Sequence, residues 1–313
     1  MRFVTLLGHE EQEQRLARAL EHNALASSLL IAGPAGIGKT LFAKKLACAL
    51  LSYDGTSPTN AKTLTSLCSP AVAQRICEGT HPDLVISTPS SEESAIDQMR
   101  HVLAKIYIKP AMARFKVVIF EEAETLNRNA ANALLKTLEE PPVDTFMVLT
   151  SSYAESLLPT IRSRCLRVGL GPLSPTVMTT VLKKLQITLP AALLSLCDGS
   201  PGTALMLHSR AETHARFLKA LEDNSLTTAK IFAEEEDVWP LFSWFACHAL
   251  HQATCAETVE TAEVPVLRAH AAALWPEVIR KIVQADRLNL DKKSVILWFF
   301  CSLRESLRRR AYA

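Results

Sequence analysis

Residues 33–40 read Gly-Pro-Ala-Gly-Ile-Gly-Lys-Thr, and this G-x-x-x-x-G-K-T spacing constrains the fold more than any other stretch of the chain. Such a loop holds a triphosphate only where a strand delivers it and a helix N-terminus receives it. Its glycines turn backbone N–H groups toward phosphate oxygens, and the helix dipole adds positive potential. The flanks read that way. Ser27 to Ala32 is a short β-type apolar run, and Lys39 to Tyr53 places Phe42, Leu46, Ala49 and Leu50 at helical spacing. In that setting Gly33, Gly36 and Gly38 form the cradle. Lys39 brings charge to the β and γ phosphates of ATP, or to the β phosphate of ADP, and the Thr40 hydroxyl is a ligand for Mg²⁺.

The rest of the first half repeats the alternation. Asp83 to Ser87, Phe115 to Phe120, Thr145 to Thr150 and Cys165 to Val168 are strand candidates, with helices over Glu93 to Tyr107 and Arg128 to Glu139 between them. The pattern predicts a doubly wound parallel α/β sheet with helices on both faces. Gly171-Pro172-Leu173-Ser174-Pro175 closes it as a linker, with Ser174 as N-cap and Pro175 at the first helical position. Beyond this point the pattern is helical, including segments over Val264 to Arg287 and Lys292 to Arg309. At 313 residues and 48% hydrophobic, the chain supports two or three cores. The expected division is 1–170 for the nucleotide-type domain, 171–208 for a small helical lid and 209–313 for an all-α C-terminal domain.

Charge and cysteine usage narrow the function classes. With 34 basic and 32 acidic residues the net charge is +2, so the chain as a whole has no basic footprint for nucleic acid. The apolar stretch at the amino terminus is too short for a signal peptide, and the longest apolar run, Val295 to Cys301, is too short to cross a bilayer. Eight scattered cysteines in mostly apolar segments fit reduced thiols, so a cytoplasmic chain without disulfides is expected.

Catalysis at such a loop needs acids at the end of a neighbouring strand, usually an Asp for the metal followed by a Glu that polarises the attacking water. Here Glu121 and Glu122 follow Phe120. A glutamate in the first place moves the carboxylate out by one methylene and weakens metal positioning. Ser151 and Ser152 sit at the strand-end position where a hydroxyl senses the γ-phosphate, and Ser151 is taken as the sensor.

Four stretches carry a specific resemblance. Residues 116–126 read Lys-Val-Val-Ile-Phe-Glu-Glu-Ala-Glu-Thr-Leu, and 129–142 read Asn-Ala-Ala-Asn-Ala-Leu-Leu-Lys-Thr-Leu-Glu-Glu-Pro-Pro. With Gly79-Thr80-His81-Pro82-Asp83-Leu84 and Ser163-Arg164-Cys165, they resemble, in order, the signatures of bacterial DNA polymerase III clamp-loader subunits of the AAA+ class. The resemblance spans residues 8 to 168. It implies an AAA+ nucleotide-binding domain followed by a lid and a C-terminal collar that joins a hetero-oligomeric open ring of five subunits. The partners it implies are gamma/tau and delta subunits and, through the complex, the sliding clamp and primed DNA. Arg164 then matches the arginine finger that reaches the ATP of a neighbouring subunit. A planar, permanently charged guanidinium suits charge spread over γ-phosphate oxygens. A surface arginine near a helix end is the alternative. Gly8-His9-Glu10 resembles the box lying against the adenine.

Two departures shape the expected role. The motor subunits of the family carry a lid arginine in Gly-Ser-Leu-Arg-Asp-Ala-Leu, whereas this chain has Gly199-Ser200-Pro201-Gly202-Thr203-Ala204-Leu205, with Gly202 in the arginine's place. The family's zinc knuckle is reduced to Cys68 and Cys77, with His81 as a distant third, so neither zinc nor any other structural metal is expected. The loss of the arginine is similar to the delta-prime branch, implying a structural subunit with little or no ATPase of its own. An active gamma/tau-like motor, in which Glu122 would polarise the attacking water, is the other reading.

Overall fold

The computed structural model describes residues 6–55, 63–88, 95–189, 194, 197–210, single positions between 213 and 246, and 274, 276–285 and 290–311. Five strands, β1 (Ser28–Ala32), β2 (Leu84–Ser87), β3 (Lys116–Phe120), β4 (Thr145–Ser151) and β5 (Leu166–Gly169), form one sheet in the order β2-β3-β4-β1-β5. Every neighbouring pair is parallel, with Ala32 opposite Ser151 and Phe120 opposite Leu149 in register. All strands therefore end at the same edge. β1, β3 and β4 are buried along their whole lengths, as both-face coverage by helices demands.

The alternation of side chains divides the core between the two faces. Leu30, Ala32, Val118, Phe120, Met147 and Leu149 pack against Met99, Val102 and Ile106 of α5 (Ala95–Ile106), Leu134 and Leu138 of α6 (Arg128–Glu139), and Ile161 of α7 (Pro159–Arg162). Leu29, Ile31, Val117, Ile119 and Val148 face the other way and are fully buried. There α2 (Lys39–Ser52) contributes Phe42, Leu46 and Leu50 and packs on β1, β3 and β4. Around α2 lie α1 (Glu10–Glu21), α3 (Leu64–Leu67) and α4 (Pro70–Glu78). Glu13 of α1 and Lys45 of α2 form a buried ion pair at 2.5 Å, with side chains 4% and 3% exposed.

Helix ends follow local chemistry. Asn127 caps α6, its side chain accepting from Ala130 N at 2.9 Å, a stop-and-start signal absent from the sequence reading. Ser174 caps α8 (Pro175–Leu185) by accepting from Val177 N, with Pro175 in the first turn. Asp83 has a different task. Its buried carboxylate accepts from the backbone N–H groups of Ala111, Met112 and Ala113 at 2.6 to 2.8 Å, which ties the loop before β3 to the start of β2.

By internal contacts the chain falls into two units, one of residues 1–187 with 197–203, the other of 188–196 with 204–313. In the second unit α10 (Lys292–Ala311) buries Ile296, Phe299 and Phe300. Phe242 lies edge-on to Phe299 at 5.3 Å, and Trp239 is 5.9 Å from Phe242. α9 (Pro201–Ser209) begins in the first unit. Among the described residues no strand follows β5, and no helix is long and apolar enough to cross a membrane. Glu93, most of the turn at 54–60, much of 209–291, Cys247 and Cys255 lie outside the described residues.

Candidate functional site

The carboxyl ends of β1, β3 and β4 bring the phosphate loop, the acids and the sensor position to one edge. Residues 33–38 leave β1 and enter α2 through Gly38, whose φ of 102° is left-handed. Lys39 is the first helical residue and Thr40, half-buried, the second. The Gly33 N–H donates to the Ser151 carbonyl at 3.2 Å, pinning the loop to β4.

Lys39 has its three N–H donors directed at the chain itself. They reach the carbonyls of Gly33 at 3.0 Å and Pro34 at 2.9 Å, and Ser152 Oγ at 2.9 Å. Burial pulls the ammonium below its ordinary pKa, while the Glu124 and Glu122 carboxylates act in the opposite direction. The hydroxyl meeting Lys39 belongs to Ser152 and not to Ser151, the residue the sequence singled out. Ser151 is fully buried, and its Oγ accepts from Tyr153 N. Ser152 is held in turn by Glu124, whose Oε1 accepts from Ser152 N at 2.8 Å and whose Oε2 is buried without a partner. Glu124 was missed as a site residue. The signal was present as a third acid in the run, but the left-handed Glu122 (φ 48°) and the short turn after it decide which acid points inward.

Glu121 lies toward the β2 side. Its Oε2 accepts from Thr88 Oγ1 at 2.9 Å, while its Oε1 is buried with no hydrogen-bond partner and Lys44 Nζ 3.8 Å away. Glu122 donates its backbone N–H to Thr150 Oγ1. An orphaned carboxylate oxygen at the sheet edge that carries the loop, one strand beyond β4, suits a hydrated cation better than a sealed core does. In residue type the edge fits a nucleotide with Mg²⁺. Phosphate oxygens would have to replace the carbonyls that Lys39 now holds.

The segment 199–203 closes over the loop. Gly202 N donates to Gly36 O at 2.8 Å, and Ser200 Oγ donates to Ala35 O at 2.9 Å. The approach is close enough that a Cβ on Gly202 would lie 2.5 Å from Gly36 Cα and 2.8 Å from Gly36 O. An arginine cannot occupy position 202 in this arrangement, so the residue that departs from the motor pattern is also the one the packing requires to be glycine.

His9 borders a cleft of about 310 Å³ whose wall includes Gly8, Glu11, Pro172 and Val177. Its side chain bonds the backbone of Ile37, and its Nε2 is buried without a partner. Burial lowers its pKa and favours the neutral ring. A larger cleft of about 670 Å³ runs from Gly33 and Pro34 past Ser152 and Tyr153 to Arg167.

Arg164 stands apart from these groups, after α7. Its Nη2 is 2.6 Å from Glu139 Oε1 and its Nη1 donates to Thr160 O at 2.9 Å. Arg162 and Arg167 both pair with Glu155 instead. Among the described residues no three His, Cys, Asp or Glu side chains gather as a metal site. Cys68 Sγ donates to the Leu64 carbonyl, and Cys77 is exposed.

Comparison with known proteins fixes the family. The family described as DNA polymerase III, delta subunit, matches residues 8–174, which is more than half of the chain. The chain belongs to that family. It is a clamp-loader subunit of the DNA polymerase III type, built on a parallel α/β sheet with a phosphate loop after its first strand. DNA polymerase III subunit delta-prime of Pseudomonas aeruginosa is 36% identical over 70% of this chain and 69% of its own length. The tau subunit of Bacillus subtilis is 28% identical over 83% of this chain, which spans 45% of the tau length. A solved DNA polymerase III gamma subunit-related protein from Thermotoga maritima covers 93% of this clamp-loader subunit and 99% of its own chain, at 18% identity and a TM-score of 0.47. The sequence matches carry the assignment.

Proposed function

We propose that the chain is the structural, delta-prime-like member of a DNA polymerase III clamp loader. In this reading it assembles with gamma/tau and delta subunits into an open ring of five that places the sliding clamp on primed DNA. Residues 1–170 form the nucleotide-type domain, 171–208 the lid and 209–313 the collar that joins the ring. The observation that carries the reading is the contact of Gly202 with Gly36: where a motor's lid arginine would touch phosphate, two backbones meet. The three internal hydrogen bonds of Lys39 act in the same direction, because nucleotide must compete with them.

ATP or ADP with Mg²⁺, held by Gly33, Gly36, Gly38, Lys39 and Thr40 with Glu121 toward the metal, would set the shape of this domain more than undergo turnover. Bound nucleotide would supply negative charge for the loop N–H groups and Lys39 to complement, and Glu122 would polarise water only if the chain turned nucleotide over. Arg164 is assigned as the finger given to the ATP of an adjacent gamma/tau subunit, where a guanidinium offsets charge developing on the γ-phosphate.

The test is reconstitution. Mixing the chain with gamma/tau and delta subunits should give a defined complex whose clamp- and DNA-stimulated ATPase survives Lys39→Ala in this chain. If the isolated chain instead turns over ATP at about 1 per second or faster, and Lys39→Ala abolishes that turnover, it is a motor.

A further inference from the structure

Arg164 ends a side chain with several rotatable bonds, and a transition-state contact requires its guanidinium to arrive in one orientation. Its neighbours in this chain hold it, Ser163 Oγ accepting weakly from Nη1 at 3.4 Å beside two closer partners. Thr160 O takes Nη1 at 2.9 Å and Glu139 Oε1 takes Nη2 at 2.6 Å, so the plane is set from two sides while the remaining N–H groups stay unengaged by either. The Arg164 side chain is 34% exposed and the Glu139 side chain 49%, which leaves the pair open to a partner's phosphate.

Glu139 is also out of place for its helix. It is the last residue of α6, where the macrodipole favours cations and disfavours a carboxylate, and Glu140 follows it. Local helix preference therefore does not account for an acid here. The other two arginines of this stretch, Arg162 and Arg167, share Glu155 and leave Glu139 to Arg164. α6 packs against α7, so the carboxylate is carried on the element that abuts the finger's own helix.

We propose that Glu139 is the positioning residue for Arg164, the carboxylate that presents the finger's guanidinium to the neighbouring subunit's nucleotide. The proposal rests on the assignment of Arg164 as the finger and extends it to a second residue on α6. Glu139 acts through Arg164 and touches no nucleotide of its own. An acid in this place lowers the cost of ordering the arginine before the phosphate arrives. It also returns that arginine to the same orientation after each turnover.

The assembled complex with gamma/tau and delta subunits provides the test, with steady-state ATPase measured at saturating clamp and primed DNA. The variants in this chain are Glu139→Gln, Arg164→Ala and the two combined. Glu139→Gln should lower kcat about ten-fold, short of the roughly hundred-fold cost of misplacing a reacting group by 1 Å. KM for ATP, complex assembly and the melting temperature of the chain should stay as in the wild type. In the Arg164→Ala background the same substitution should have no further effect. Wild-type kcat in Glu139→Gln alongside a slow Arg164→Ala overturns the positioning role and leaves the finger standing. Wild-type kcat in Arg164→Ala removes the finger itself, and the proposal with it. A Glu139→Gln defect that persists without Arg164, or that comes with failed assembly, also overturns the proposal, because Glu139 is then acting elsewhere.

Discussion

Position 202 shows how one residue can invert an ordinary expectation. Replacing a helical glycine by alanine normally stabilises a protein, by up to about 1 kcal/mol in a helix interior. Here the new methyl would lie 2.5 Å from Gly36 Cα, a backbone atom that cannot swing aside. Gly202→Ala should therefore destabilise the first unit by about 1–3 kcal/mol, the usual cost of overpacking. A lowered midpoint in denaturant unfolding would register it, and a midpoint at or above wild type would show that the loop and the lid segment do not meet this closely. The sequence pointed to Gly202 through a missing arginine. It could not show that the glycine faces another glycine, because that meeting depends on how the chain returns across the sheet edge.

At the scale of elements, the docking of α1 on α2 depends on a pair of charges as well as on apolar contact. Glu13 and Lys45 are each under 5% exposed, and burial pushes the Glu13 pKa up while its hydrogen bond with Lys45 pulls it back. Removing one partner strands the other. Lys45→Met should cost about 3–5 kcal/mol, whereas Glu13→Leu combined with Lys45→Met should cost far less and can approach neutral. A thermal-melt comparison of the three proteins checks this, and additive losses in the double variant would refute the pairing. The helices themselves were legible from periodicity: α6 begins and ends at the residues that the sequence predicts, Arg128 and Glu139. The ion pair was not legible, since 32 residues separate its members and each looks like a surface charge in a one-dimensional pattern.

For the molecule as a whole, acid sensitivity should concentrate on Asp83. Burial raises the pKa of this carboxyl, but the N–H groups of Ala113, Ala111 and Met112 together with His81 outweigh burial and hold it below the ordinary value. A depressed acid contributes stability that is fully present above its unfolded pKa, near 3.9, and is lost as pH falls through the lower folded value. Asp83→Asn should reduce stability at neutral pH by about 1–3 kcal/mol, because an amide cannot accept from all three donors. It should also flatten the stability profile below about pH 4. Equilibrium unfolding from pH 7 to pH 3 measures both effects, and an unchanged acid limb would place the sensitivity elsewhere. Gly79 to Leu84, a family signature in the sequence, is therefore an anchor for the loop before β3 and lies away from the phosphate edge.

The sequence alone determined the strand–loop–helix around Lys39, the parallel α/β order, and the family through motifs 8–168. Those depend on neighbours within a few turns of chain, where periodicity and glycine spacing act directly. Only the tertiary structure decided that Lys39 meets Ser152, 113 residues away, that Ser200 reaches Ala35 across 165 residues, and that Arg164 leans on Glu139. Parallel strands bring their ends together only after long crossovers, so contacts at the shared edge are set by the sheet order and not by local pattern.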